Sequence, residues 1–312
     1  MIMRLSLLVF TLCWLGLPQA MAAENARVLT TIKPLQQIAS AVLQNIDTPA
    51  LLMDPGASPH TYALRPSDRR ALAAAERIYW VGPELELFLE DLLERQANAV
   101  DLLHLPQMTV REQIQSHNFQ RDQHAGHDEH AAHGDHHDHG SLDAHIWLSP
   151  ANAKAIAGYM AEDLAKLYPQ QVEQLQANLA AFEQRLGELD AALKARLGPL
   201  QDKPYFVFHD GYGYFEDHYG MRPQGIFSLS HEVQPGARHV NQLRQQLQAA
   251  GPSCVFTEPQ FTPRLVNSLT QGLPVEVGTL DPLGTATEDG PHGYERMLGD
   301  IGNSLAECLE AL

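Results

Sequence analysis

Sixteen histidines are spread over 312 residues, and seven of them crowd into QHAGHDEHAAHGDHHDHG, Gln123 to Gly140. His124, His127, His130, His133, His136, His137 and His139 stand there among Asp128, Glu129, Asp135 and Asp138. Imidazoles and carboxylates at such short intervals can hold a divalent metal in many overlapping ways. Three other histidines sit far apart in the chain, each near the end of an apolar run. His60 lies in DPGASPHTY after ALLM, His145 in DAHIWLSP ahead of a helix start, and His209 directly after YFVF. Asp281, in GTLDPLG, follows VEV in the same manner. Ligands of open α/β sheets bind beyond the carboxyl ends of the strands, and the coarse topology sends all four residues there. Three imidazoles and one oxygen form a tetrahedral environment that suits zinc. A lone loop histidine is more often a surface or hydrogen-bonded residue, and His104, His117, His218, His231, His239 and His292 are read that way. Asp210, next to His209, either orients that ring or serves as a helix cap or surface charge.

The elements that must position these side chains alternate along the chain. VLTTI (28–32), ALLM (50–53) and IYWV (78–81) read as strands, and residues 34–45 as a helix. Ser67 or Asp68 caps a further helix, and another runs from Glu84 to Ala97. The acidic residues Glu84, Glu86, Glu90, Asp91 and Glu94 give that last helix a solvated face, one that could also meet a partner. Ser149 caps a helix that Pro150 begins. From Pro169 to Arg196 a long helix carries Leu175, Leu179, Phe182, Leu186, Leu189, Leu193 and Leu197 at steps of three and four. It spans about 40 Å, enough for a strut between two lobes. YFVF (205–208), CVFT (254–257) and VEV (275–277) then read as strands, with helices near 239–250, 263–271 and 294–309. This alternation implies two α/β lobes with parallel sheets. The divisions are a leader at 1–22, a first lobe at 23–168, a connecting helix at 169–198 and a second lobe at 199–312. Residues 117–141 form a mobile loop of the first lobe, too polar to offset its ordering entropy.

Composition narrows the function classes. An apolar fraction of 44% supports real cores, and a formal charge of −17 argues against nucleic acid. Arg4, the apolar run Leu5–Leu17 and the small residues Ala20-Met21-Ala22 make a cleavable secretory signal, too short to span a bilayer. Removing it leaves no membrane anchor and only Cys254 and Cys308, which in an exported chain most simply form one disulfide; two buried thiols are the alternative.

GASPHTYALRPSD, DAHIWLSP, FVFHDGYGYFE and EPQFTPRLV…GTLDPLG together resemble the periplasmic zinc-binding proteins of ABC importers, the ZnuA type. The motifs run in family order from about residue 28 to the C-terminus, with an acidic histidine-rich loop between the first two. The resemblance implies two pseudo-symmetric Rossmann-like lobes bridged by a rigid helix, and Zn²⁺ in the cleft on His60, His145 and His209. It also implies a monomer in the periplasm that serves a membrane permease and its ATPase. Manganese-binding relatives carry a carboxylate where His209 stands, and an imidazole there favours zinc. Some members supply a fourth ligand from a glutamate directly before the first histidine. Here that place is Pro59, which leaves Asp281, water or a loop group.

The histidine run then becomes an accessory that gathers zinc, senses it or passes it on, unless it is only a tolerated insert. Two rival functions keep the same residues: a zinc hydrolase or hydratase, and a periplasmic zinc buffer acting through the loop. Beyond Asp210, no acid–base constellation accompanies the three histidines, and no nucleophile motif does, so a binding protein is favoured over an enzyme.

Overall fold

The computed structural model describes residues 26–112, 142–228, 237–260, 266 and 269–312. The leader, the histidine run and most of the helix expected near 263–271 lie outside them. Two four-stranded sheets, wholly parallel, make up the strand framework. In the first, β1 (Val28–Thr30) lies between β2 (Ala50–Leu51) and β3 (Arg77–Trp80), and β4 (Ala99–Asp101) forms the far edge. The second repeats that order: β5 (Tyr205–His209) lies between β6 (Gly225–Ser228) and β7 (Ser253–Thr257), with β8 (Val275–Thr279) outermost. Central strands of parallel sheets are covered on both faces and so read as unbroken apolar runs. Ile78, Tyr79 and Trp80, and Tyr205 to Phe208, are buried accordingly. β4 and β6, only three and four residues long, escaped the reading of the sequence.

Helices cover these sheets. In the first lobe they are α1 (Lys33–Val42), α2 (Pro66–Ala74), the single turns α3 (Pro83–Glu86) and α4 (Glu90–Leu93), and α5 (Pro150–Leu167). Ser149 caps α5 as expected, its hydroxyl accepting from the Asn152 N–H at 3.2 Å. At α2 the cap lies elsewhere. Arg65 holds the N-cap position and Asp68 is three residues in, its carboxylate accepting the Arg65 N–H at 2.8 Å. The helix expected over 84–97 is broken by a 3₁₀ turn at Leu87–Leu89. Glu86 is fully buried, not part of a solvated face, and its carboxylate accepts the Val81 N–H at 2.7 Å. Burial pushes it up to about 7, against the hydrogen bonds that favour its ionised form.

The connecting helix α6 (Val172–Leu197) is 26 residues long, about 39 Å. Leu175, Phe182, Leu186, Leu193 and Leu197 bury its apolar stripe, and Asn178 donates to the carbonyls of Val42 and Gln44 at 2.9 and 2.8 Å. Those carbonyls end α1, so one buried amide fastens the strut to the first lobe. Beyond it lie α7 (Gly213–Tyr219), α8 (Ala237–Ala250) and α9 (Gly293–Ala311). Cys254 in β7 and Cys308 in α9 form a disulfide with Cα atoms 6.1 Å apart, locking the last helix to the second sheet. The two halves are also pinned directly. The Trp147 indole donates to the Pro282 carbonyl at 2.7 Å, the Tyr294 hydroxyl to the Trp147 carbonyl at 2.6 Å, and Lys33 to the Thr287 carbonyl at 2.6 Å. Among the described residues no helix is long and apolar enough to cross a membrane.

Candidate metal centre

The pocket between the lobes is walled by Ser58, His60, His145, Trp147, His209, Glu258 and Gln260, with Pro59, Pro282 and Leu283. His60 comes from the loop after β2, His145 from the turn that enters α5, and His209 is the last residue of β5. Side-chain nitrogens of the three lie within 4.8 Å of one another. Ring centroids are 5.2 Å apart for His145 and His209, 5.5 Å for His60 and His145, and 6.3 Å for His60 and His209. The facing Nε2 atoms of His145 and His209 are 3.3 Å apart. The three histidines singled out in the sequence therefore meet at one point.

Each of the last two rings is held from behind. His145 Nδ1 bonds the Asp143 carboxylate at 2.8 Å, and His209 Nδ1 bonds that of Glu258. A carboxyl oxygen that accepts the Nδ1–H leaves the Nε2 lone pair facing the cleft. The two carboxyls differ in state. Burial works against ionising Asp143, but its hydrogen bonds and charge contacts with His145 and Arg111 outweigh that and hold it below the usual carboxylate range. Arg111 lies 3.2 Å from Asp143 and 2.7 Å from Asp217 of α7, so it also ties the lobes together. Burial pushes Glu258 up to about 8, against the Tyr212 hydroxyl that donates to it. Burial, then the neighbouring imidazoles, holds His60 well below the ordinary histidine range, and burial with His145 does the same for His209. Both rings are neutral at neutral pH, the form in which imidazole ligates a metal.

Gly211 closes one side. A Cβ built there would land on the His209 ring and within 3.1 Å of His145 Nε2, so a side chain at 211 would push into the site.

Asp281 does not converge with the histidines. Its carboxylate turns into its own loop and accepts the N–H of Leu283 at 3.2 Å, the N–H of Thr285 at 2.5 Å and the Thr285 hydroxyl at 3.2 Å. An aspartate before a proline readily folds back onto backbone amides this way, and spacing alone could not show it. Asp210 is not the partner of His209 Nδ1. Glu258 has that place, and Asp210 acts on the ring by charge only. Glu258 stands one residue beyond β7, in the EPQ motif, and the rule that ligating histidines donate to carboxylates was the signal that could have found it. Of the histidines left aside, His104 pairs with Asp101 at 2.8 Å and His218 with Asp190 at 2.6 Å. His117 and His231 fall outside the described residues.

The family model of a zinc-uptake complex component A, periplasmic, matches residues 28–308. The chain belongs to the ZnuA family. The high-affinity zinc uptake system protein ZnuA of Yersinia pestis is 41% identical over 292 residues, 92% of each chain. A ZnuA crystal structure superposes with a TM-score of 0.73 at 25% identity, covering 91% of this chain and 99% of that one. A ZnuA deletion mutant solved with zinc bound gives 0.68 at 26%, covering 90% and 98%. The paired parallel sheets and long central helix are thus the fold of ZnuA-type solute-binding proteins, as the motifs implied.

Proposed function

We propose that this ZnuA-family chain, exported to the periplasm by a leader at residues 1–22, captures Zn²⁺ between its lobes on His60, His145 and His209. It delivers the ion, as a monomer, to the membrane permease and ATPase of an ABC importer. The observation that carries the reading is the 3.3 Å between the two facing Nε2 atoms. Tetrahedral zinc with Zn–N bonds of about 2.05 Å has a donor–donor edge of about 3.3 Å, so the ion fits between these rings without moving them. Each Nδ1–H is given to a carboxyl oxygen, of Asp143 and of Glu258, and two Nε2 lone pairs at that distance repel unless a cation joins them. Nitrogen donors favour zinc over the harder cations that carboxylates select. Capture and release make no bond within the cargo, which is the work of a binding protein rather than an enzyme.

The lobes at 23–168 and 199–312 supply two rings and one, with the helix at 169–198 as the strut. Release then requires the permease to loosen the interlobe bonds of Trp147, Tyr294 and Arg111. The histidine run supplies many weak, fast-exchanging sites that gather or sense zinc, since each binding mode must also order the chain. X-ray absorption on protein loaded with one zinc should show three imidazole nitrogens and one oxygen; an oxygen-dominated shell would contradict the site. Coupling is tested with the permease and ATPase in vesicles, where zinc-loaded protein should stimulate ATP hydrolysis and the zinc-free protein should not.

A further inference from the structure

Three imidazoles leave one corner of the tetrahedron, and Asp281, one of the candidates for it beside water, is turned away. Two oxygens in the pocket wall have no hydrogen-bond partner among the described residues although both are buried: Gln260 Oε1 and Ser58 Oγ. A buried polar atom without a partner costs about 1–3 kcal/mol, which makes such atoms markers for a missing ligand. The amide of Gln260 cannot be reversed to relieve this. Its Nε2 donates to the Thr285 hydroxyl at 3.1 Å and to Asp281 Oδ1 at 3.4 Å. A flipped amide would set its oxygen against the Asp281 carboxylate, so the carboxylate fixes which end faces the pocket. Asp281 is itself fixed by the loop amides of Leu283 and Thr285.

We infer that the fourth position belongs to a zinc-bound water whose two hydrogens are received by Gln260 Oε1 and Ser58 Oγ, and that Asp281 is the positioning residue that aims the Gln260 amide. This rests on the three-histidine reading above and names what completes it. Ser58 stands two residues before His60, and Gln260 two residues beyond Glu258. Each lobe thus contributes one acceptor beside its own part of the histidine cluster, and the water joins the two lobes through the ion. Opening the cleft would separate the acceptors, and the water's support would be lost together with the ligands.

The test combines chelator-competition zinc titrations with visible spectra of the cobalt-loaded protein for the unaltered chain, Gln260→Leu, Ser58→Ala, Asp281→Ala, the Gln260→Leu/Asp281→Ala double variant and His209→Ala. Gln260→Leu should weaken zinc about tenfold and move the cobalt absorption bands, while the melting temperature of the zinc-free protein stays near that of the unaltered chain. Ser58→Ala should cost about threefold. Asp281→Ala should match Gln260→Leu, and the double variant should be no weaker than about tenfold, because both changes act on one oxygen. Unchanged affinity and spectrum in Gln260→Leu, with zinc lost in His209→Ala, would overturn the inference alone. So would an Asp281→Ala loss far beyond that of Gln260→Leu that multiplies with it, since Asp281 would then act on the metal itself. Tight binding retained in His209→Ala would instead overturn the three-histidine reading.

Discussion

The two lobes share one strand order yet back their cleft rings with carboxyls in opposite states. In the first, Asp143 backs His145 and is itself backed by Arg111, so a charged carboxylate sits behind a ring. In the second, Glu258 backs His209 with the Tyr212 hydroxyl beside it, and burial pushes the carboxyl up to about 8. The difference teaches that the same orienting hydrogen bond can be built from a charge held down by a guanidinium or from an acid that largely keeps its proton. The first arrangement also ties the lobes together, through Arg111 to Asp217. The second concentrates its support within one lobe, whose sheet and last helix are further locked by the disulfide.

That contrast can be broken or sharpened, beginning with the largest effect. Cys308→Ser should lower the stability of the second lobe by about 4 kcal/mol, from the loop that a 54-residue separation closes. Chemical denaturation should then show that lobe unfolding first; a single, unshifted transition would contradict the inequality.

Exchanging the backing carboxyls tests the states themselves. Asp143→Asn leaves the half-buried Arg111 guanidinium with Asp217 alone and should cost about 2–3 kcal/mol in the zinc-free protein. Glu258→Gln replaces an acid that is mostly protonated at pH 7 and should cost less than about 1 kcal/mol. Each should weaken zinc by about 10–100-fold, since each leaves a ring less well oriented. Equal stability losses in urea titrations at pH 7 would erase the contrast.

The smallest effects lie in pH. Glu258 holds its proton in the folded state up to about 8 and releases it near 4.5 when unfolded, so the zinc-free protein loses stability as pH rises across that window. Glu258→Gln should flatten that slope. His60 and His209, held well below 6.5, bind protons more readily when unfolded, so stability also falls as pH drops below about 6.5. Melting temperatures from pH 5 to 9 check both limbs, and a Glu258→Gln profile as steep as the unaltered one above pH 5 would contradict the Glu258 assignment.

Much of this was legible in the residues. Buried parallel strands read as apolar runs, Ser149-Pro150 marks the start of α5, and the leucine stripe draws α6. Three histidines at strand ends could be gathered because the α/β crevice rule says where such ends point. What stayed hidden depends on side-chain direction. Asp281 follows its strand as a ligand should, but its loop amides claim the carboxylate. Glu86 sits among acidic neighbours in the sequence and is buried by the broken helix around it. Glu258 and Asp143 carry no spacing signal, because a carboxylate behind a ring is recognised only once the ring is placed. Gln260 became visible only through the fixed orientation of its amide.

The measurement that bears most directly on the central claim is a chelator-competition zinc titration of the chain lacking residues 118–141, run beside its His209→Ala variant. Zinc-site energies of about 10–16 kcal/mol, shared over four donors, place roughly two orders of magnitude in affinity on each ligand. The account predicts one tight site in the deletion protein and a loss of at least about a hundredfold when His209 is removed. Loss of tight binding on deletion alone, with His209→Ala harmless in the full chain, would contradict it and make the histidine run the working site of a zinc buffer.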